Sequence, residues 1–405
     1  MGGDNIIIPN IMVIHEGDKM RIESLEIQGV GGIKELSLKF NEGLNVICGA
    51  NGIGKTTILN TIADIFSYAG RNIKRNATVD EGHYVARFDN GVLIENNVRD
   101  FKPLESQRSF MNNEVTKNSF MNFNANRDIP YINMNGIPGD VFRGEHDLGH
   151  IAVQGVGAEE IKGWFVNRYL YSGQKKGFSD IMRKNLELAV RVFGLLDDKI
   201  KFDYIDPHKH DIMLETTAGN IYFEYLSSGY KMCIYIILGV LKEIEYRFVD
   251  PEVAFDDFKG IILIDEIDLH LHPTWQAQLV QVLKTIFPKV QFIVTTHSPS
   301  VLQSLEKDEI IALGLDENDN TVVKELNLGE YGLQGWTLEE ILQDVMGMPS
   351  TTSELYQSTI EEFDKAMDEE NGSKIMEQYE ILKKMLHPKN PLQKLLKLQV
   401  AEWEE

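Results

Sequence analysis

Gly49-Ala50-Asn51-Gly52-Ile53-Gly54-Lys55-Thr56 is the stretch whose reading decides the fold. The apolar run Leu44 to Cys48 precedes it, and Thr56 to Tyr68 follows with Ile58, Leu59, Ile62, Ile65 and Phe66 at helical spacing. Strand, glycine loop and helix in that order form a Walker A phosphate-binding loop. The glycines let backbone N–H groups turn inward around an anion, and the helix N-terminus adds a partial positive charge. Lys55 is expected to reach the β- and γ-phosphates of a bound nucleotide, and Thr56 to place its hydroxyl on Mg²⁺. Asn51, Gly52, Ile53, Gly54, Lys55, Thr56 and Thr57 are the expected contacts to ATP.

Working outward, Ile261-Ile262-Leu263-Ile264-Asp265-Glu266 reads as a Walker B strand ending in two carboxylates. Asp265 is expected to hold Mg²⁺, directly or through water, and Glu266 to polarise the attacking water. Thr295-Thr296-His297 ends the next apolar strand, where His297 can hydrogen-bond a γ-phosphate. Glu266 and His297 are therefore the catalytic candidates. His208 with His210, and His270 with His272, suggest metal pairs, but neither pair has a visible third ligand.

Flanking elements give an α/β fold. Met20 to Phe40 alternates as two strands joined at Gly29–Gly32, and Asp89-Asn90-Gly91 marks a hairpin between Tyr84–Phe88 and Val92–Glu95. From Arg99 to Gly157 the chain is polar and rich in Asn, Gly and Pro, with no assignable element. Glu159–Leu170 and Ser179–Leu196 read as amphipathic helices. Lys201–Ile205, Ile212–Thr216 and Ile221–Tyr225 read as strands, Tyr230–Phe248 and Thr274–Ile286 as helices, and Gly260–Ile264, Val290–Thr295 and Ile310–Leu313 as strands. The expected organisation is an extension over residues 1–19, a nucleotide-binding head over 20–335 with a loop-rich and helical insertion over about 99–200, and a helical, acidic tail over 336–405.

Composition sets the outer limits. The formal net charge of −22 argues against general nucleic-acid binding, which depends on clustered Lys and Arg. Two small basic clusters stand out, Arg71, Lys74 and Arg75, and Lys175, Lys176, Arg183 and Lys184; solvated faces explain both. No apolar run approaches the roughly 20 residues of a membrane span. Met1 to Lys19 lacks a basic start followed by an apolar stretch, so no signal peptide is expected. Cys48 and Cys233 lie in apolar segments and read as core, and a reducing, cytoplasmic setting is expected.

Leu226-Ser227-Ser228-Gly229-Tyr230, before a long apolar helix and ahead of Walker B, resembles the ABC signature Leu-Ser-Gly-Gly-Gln, with Ser228 and Tyr230 as departures. The order Walker A, signature, Walker B, switch His is similar to the ABC ATPase superfamily. That resemblance implies a head-to-tail homodimer or higher homo-oligomer in which Ser227, Ser228 and Gly229 face the neighbour's nucleotide. It also places His270-Leu271-His272-Pro273 at the D-loop, on the dimer interface. Asn133 or Asn135 stands in for the Gln of the Q-loop. The opening Met20-Arg21-Ile22-Glu23-Ser24-Leu25 and the Leu269–Pro273 run resemble the soluble SMC/RecF/OLD-like branch. Within it, Gly31-Gly32-Ile33-Lys34-Glu35-Leu36, Trp336-Thr337-Leu338-Glu339-Glu340-Ile341-Leu342 and Met385-Leu386-His387-Pro388 resemble the PtuA family of Septu and retron antiphage systems. That family implies an ATP-hydrolysing subunit that regulates a separate HNH nuclease (PtuB-like), a reverse transcriptase and its msDNA as further partners in a retron setting, nucleic-acid contact through the complex, and no membrane. The rival readings are a RecF-like DNA repair ATPase and a transport ATPase.

Overall fold

The computed structural model describes residues 20–67, 73–103, 115–127 and 129–403. The expected extension over 1–19, Tyr68 and Arg71 lie outside them. In chain order the first elements are β1 (Ile22–Val30), β2 (Ile33–Lys39), β3 (Leu44–Cys48), α1 (Lys55–Ile65), β4 (Gly82–Phe88), β5 (Leu93–Val98), β6 (Phe120–Phe123), α2 (Glu145–Gln154), α3 (Glu159–Tyr171) and α4 (Asp180–Val192). They are followed by β7 (Lys201–Ile205), β8 (Ile212–Thr216), β9 (Gly219–Tyr222), α5 (Ser228–Arg247), β10 (Gly260–Ile264), α6 (Pro273–Ile286), β11 (Val290–Thr295), α7 (Pro299–Leu302), β12 (Ile310–Leu315) and β13 (Thr321–Val323). The last helices are α8 (Leu338–Glu340), α9 (Glu354–Asp368), α10 (Gly372–Met385) and α11 (Leu392–Gln399).

Two compact units result. The first spans the chain to Ile341 together with Val345–Gly347; the second comprises Leu342–Asp344 and Met348–Glu405. In the first, a six-stranded sheet runs β13-β12-β3-β11-β10-β6. From β12 to β6 every pairing is parallel, and β13 closes one edge antiparallel. β3, β10 and β11 are buried along their whole length, which is why they read as largely apolar segments rather than alternating ones, broken only by the buried polar residues Asn45, Gln291 and Thr295. An antiparallel sheet, β2-β1-β4-β5, supplies the second layer. Its alternating inward residues, such as Leu25, Ile27, Leu36 and Leu38, share one core with Ile58 and Ile62 of α1 and Ile261 and Leu263 of β10. The fold is mixed α/β, a largely parallel sheet layered with an antiparallel one. In the second unit, α9, α10 and α11 close over Phe363, Ile375, Leu382 and Leu396. Among the described residues no helix is long and apolar enough to cross a membrane.

Most elements fall within a few residues of their expected places. The exception is the segment 99–200, expected as an insertion of loops and helices. It contributes β6 to the central sheet, where Ile261 to Ile264 pair with Phe120 to Phe123. All four residues of β6 are buried. Asn122 breaks the apolar run and is satisfied internally, donating to the Ala152 carbonyl at 2.9 Å. Four residues with a polar one among them carry too little periodicity to stand out. The same segment holds α2, whose first turn carries Glu145 and Asp147.

Gly260 starts β10 against β6, and a Cβ there would stand 2.1 Å from the Ser119 carbonyl oxygen. Gly260→Ala is therefore expected to cost about 1–3 kcal/mol through overpacking. Gly136→Ala, at a position with nothing within 4 Å of a new Cβ, should leave stability unchanged. Urea unfolding of both variants checks this; equal midpoints would remove β6 from the sheet.

Candidate nucleotide site

The phosphate-loop geometry follows from strand β3 ending against β12. Gly49 has φ +141°, and a Cβ there would lie 2.6 Å from the Leu313 carbonyl oxygen, so only glycine fits. Gly54 caps α1 at φ +108° with no side-chain cap for the first-turn N–H groups. Those donors are left for an anion. Asn51 and Gly52 are exposed at the loop's crest, while Ile53 turns into the core. Lys55 is buried, its Nζ donating to the carbonyls of Gly49 at 2.9 Å and Ala50 at 2.8 Å. Burial pulls its pKa below the ordinary lysine value, against the opposing pull of Asp265, Glu266 and Asp268. The Thr57 side chain packs beneath the left-handed turn residue Gly31, tying α1 to the β1–β2 hairpin.

At the end of β10, the Thr56 hydroxyl donates to Asp265 Oδ2 at 3.0 Å. The Thr295 hydroxyl donates to Asp265 Oδ1 at 2.6 Å and accepts from the Glu266 amide at 2.7 Å. Glu266 is in the left-handed region, φ +49°, which costs a non-glycine residue about 1–3 kcal/mol unless its surroundings enforce it. Asp268 orders the following strand end: its Oδ1 accepts from the Thr296 hydroxyl at 2.6 Å and from the His297 amide at 3.1 Å. The His297 ring is held below the usual histidine pKa, first by burial and then by Lys55, which favours its neutral form. Lys55, Thr56, Asp265, Glu266 and His297 thus come together around one loop. The donors Thr56 and Asp265 are hard oxygens suited to a small divalent cation such as Mg²⁺.

The signature residues sit elsewhere. Ser227 caps α5, its side chain accepting from the Tyr230 amide at 3.3 Å, and Ser228 is exposed. A Cβ on Gly229 would stand 2.3 Å from the His270 carbonyl oxygen, so this glycine seats α5 on the His270–Pro273 run of its own chain. Among the described residues no hydrogen bond joins Ser227, Ser228 or Gly229 to the phosphate loop. His272 caps α6 through Thr274, and no group of three or more His, Cys, Asp or Glu able to hold a metal occurs among the described residues. Cys48 and Cys233 are buried free thiols, both pushed up to about 12 by burial.

Arg127 was not singled out by the sequence. It follows β6, and its Nη2 donates to the carbonyl oxygens of Asp265 and Glu266, the latter at 2.8 Å. It, rather than Asn133 or Asn135, which are exposed, is the residue of this loop that meets the Walker B turn. Its segment is too polar to betray it. Asp268 carried a weak signal, two residues beyond Glu266.

Two family models match the chain. “AAA domain” covers residues 24–133, and “AAA domain, putative AbiEii toxin, Type IV TA system” covers residues 155–303. The Septu protein PtuA of Bacillus thuringiensis is 44% identical over 388 residues, 94% of this chain and 98% of the relative. The Retron Vc95 probable ATPase of Vibrio cholerae is 34% identical over 128 residues, 32% of this chain and 24% of its own length. The solved SMC head bound to the C-winged helix domain of ScpA aligns with 75% of this chain and 97% of its own, at 18% identity and a TM-score of 0.42.

Arg127→Met leaves two turn carbonyls without their charged donor while removing no group that touches phosphate. Loss of such a supporting contact is expected to lower kcat roughly tenfold to a hundredfold with little change in KM for ATP. Steady-state ATPase assays check this, and Arg127→Lys should recover part of the loss. An unchanged kcat in Arg127→Met removes Arg127 from the supporting shell.

Proposed function

The chain belongs to the family of the Septu protein PtuA, a family of P-loop ATPases, and on that premise we propose that it is the ATP-hydrolysing regulatory subunit of an antiphage defence complex. The observation that carries this reading is the convergence of Lys55, Thr56 and Asp265 beside the strained Glu266, with the Thr56 hydroxyl 3.0 Å from the Asp265 carboxylate.

In this reading Lys55 exchanges its bonds to the Gly49 and Ala50 carbonyls for phosphate oxygens. Thr56 and Asp265 hold Mg²⁺, and the bound cation supplies positive charge against the phosphates. Glu266 accepts the hydrogen bond of the attacking water and orients it. His297, neutral, donates one hydrogen bond to the terminal phosphate. Ser227, Ser228 and Gly229 complete the site of a second copy, so two chains assemble head to tail around two nucleotides. The helical tail over residues 336–405 docks a separate HNH nuclease, steered by the acidic run Glu361, Glu362, Asp364, Asp368, Glu369 and Glu370.

Lys55→Ala is expected to abolish ATP binding in calorimetry with the fold intact. Glu266→Gln keeps the shape but loses the charge, so it should bind ATP, hydrolyse it at least 10²-fold more slowly, and accumulate the nucleotide-bridged dimer in light scattering. Native-rate hydrolysis by Glu266→Gln would sink the assignment.

A shared site makes a further outcome expected. Neither Lys55→Ala nor Ser227→Ala is active alone, but a mixture builds heterodimers with one fully native site. Partial recovery of ATPase activity on mixing is the expected result; no recovery, with heterodimers present, rules out the trans arrangement.

A further inference from the structure

In a chain of net charge −22 the lysines of the second unit are unevenly placed. Lys383, Lys384, Lys389, Lys394 and Lys397 all stand between Ile381 and Ala401, a stretch with no Asp or Glu. The preceding helix α9 and its C-terminal end carry the reverse charge, with Glu361, Glu362, Asp364, Asp368, Glu369 and Glu370 exposed.

The fold of this unit turns the basic stretch into a surface. Leu396 of α11 and Val400 just after it pack with Tyr379 and Leu382 of α10, folding α11 back beside α10. Gln393 locks the arrangement by donating to the Leu386 carbonyl at 3.2 Å, and the turn between the helices is closed by the Asn390 amide donating to the His387 carbonyl at 2.8 Å. The result is a concavity lined by Lys383, Lys389, Lys394 and Lys397 with the carboxamide residues Asn390 and Gln393. Lys383 pairs with Glu380 at 2.8 Å, whereas among the described residues no ion pair engages Lys389, Lys394 or Lys397.

We propose that this concavity binds the phosphodiester backbone of a nucleic-acid strand. Ammonium groups act as point charges suited to phosphate, and a local concentration of them on one face is the electrostatic footprint of a nucleic-acid binder. The overall acidity does not oppose this, because the Debye length at physiological salt is only about 8 Å and the local field decides. Tyr379, Pro388 and Leu396 complete the lining, so it is the concentration of lysines, not a lack of apolar surface, that favours a phosphate backbone as the occupant. A second copy of this chain offering its acidic α9 is the competing occupant. The inference does not depend on the nucleotide site and is tested without ATP.

The experiment uses the full chain and a labelled single-stranded DNA oligonucleotide of mixed sequence, read by fluorescence anisotropy over a range of NaCl. With four phosphates engaged, log K should fall against log salt with a slope of about −2.8. The triple variant Lys389→Ala, Lys394→Ala, Lys397→Ala should reduce the slope to about −0.7 and weaken binding at low salt by roughly tenfold or more. The matching triple Arg variant should keep the native slope. Circular dichroism and ATP affinity, unchanged in all three proteins, show that the fold is retained. Three results overturn the proposal: a native slope in the Ala variant, equal affinity for polyglutamate and the oligonucleotide, or a change in mass by light scattering in the Ala variant with DNA binding unaltered. The last would assign the surface to a second copy.

Discussion

A single hydroxyl, that of Thr295, lies between Asp265 and Glu266, the two carboxylate-bearing residues that follow β10. It donates to the Asp265 side chain and accepts from the Glu266 amide. This requires β10 and β11 to run parallel in one register, Ile264 opposite Val294, so that β11 extends one residue past the carboxylate strand. The same strand pairs on its other side with β3, Thr295 opposite Ile47, which sets where the phosphate loop leaves the sheet. Slipping the register by one residue would turn the Thr295 hydroxyl to the opposite face of the sheet. Three motifs distant in sequence therefore depend on one strand alignment, and the buried apolar residues of β3, β10 and β11 enforce it.

Around this turn the structure stabilises what local preference opposes. The left-handed Glu266 is held by the Thr295 hydroxyl at its amide and by Arg127 at its carbonyl. Helix α5, which Ser227 caps, is similarly constrained. It is buried on nearly every side although it contains Lys242, Glu243 and Arg247. Burial alone would raise the Glu243 carboxyl, but Arg247, Lys242 and Arg143 together hold it well below the usual carboxylate range. Its stabilising contribution is thus present above the unfolded carboxylate pKa of about 4.3 and is lost as pH falls through the lower folded value. Removing one partner of such a buried set strands the others, a loss of about 3–5 kcal/mol where it has been measured.

The sequence was most legible where chemistry is local. The phosphate loop needs glycines at fixed spacing because three of its backbone angles are positive, at Gly49, Gly52 and Gly54, and such a run is readable without any tertiary information. The strand–helix order and the two carboxylates after β10 were readable for similar reasons. Elements that exist only through tertiary pairing were not. β6 is four residues long and its strand character comes from lying beside β10. Arg127 gains its role from a carbonyl pair 138 and 139 residues further along. The basic concavity was hidden by its surroundings: averaged with the acidic α9, the tail reads as acidic, and only the return of α11 along α10 gathers its lysines.

The Gln291 side chain, one carboxamide in β11, engages both its donor hydrogens and its acceptor oxygen in a single place. Its oxygen accepts from the Ile22 amide at 2.9 Å, and its nitrogen donates to the carbonyls of Ile22 and Asn41, each at 2.9 Å. Ile22 opens the antiparallel sheet, so this side chain serves as a strand pairing between the two layers. No other residue of that length offers one acceptor and two donors in one plane: glutamate cannot donate, and asparagine is a methylene short. Variation at position 291 should consequently be nearly absent, although the residue touches no nucleotide and would pass, in an inspection of motifs alone, for an ordinary polar residue in a strand.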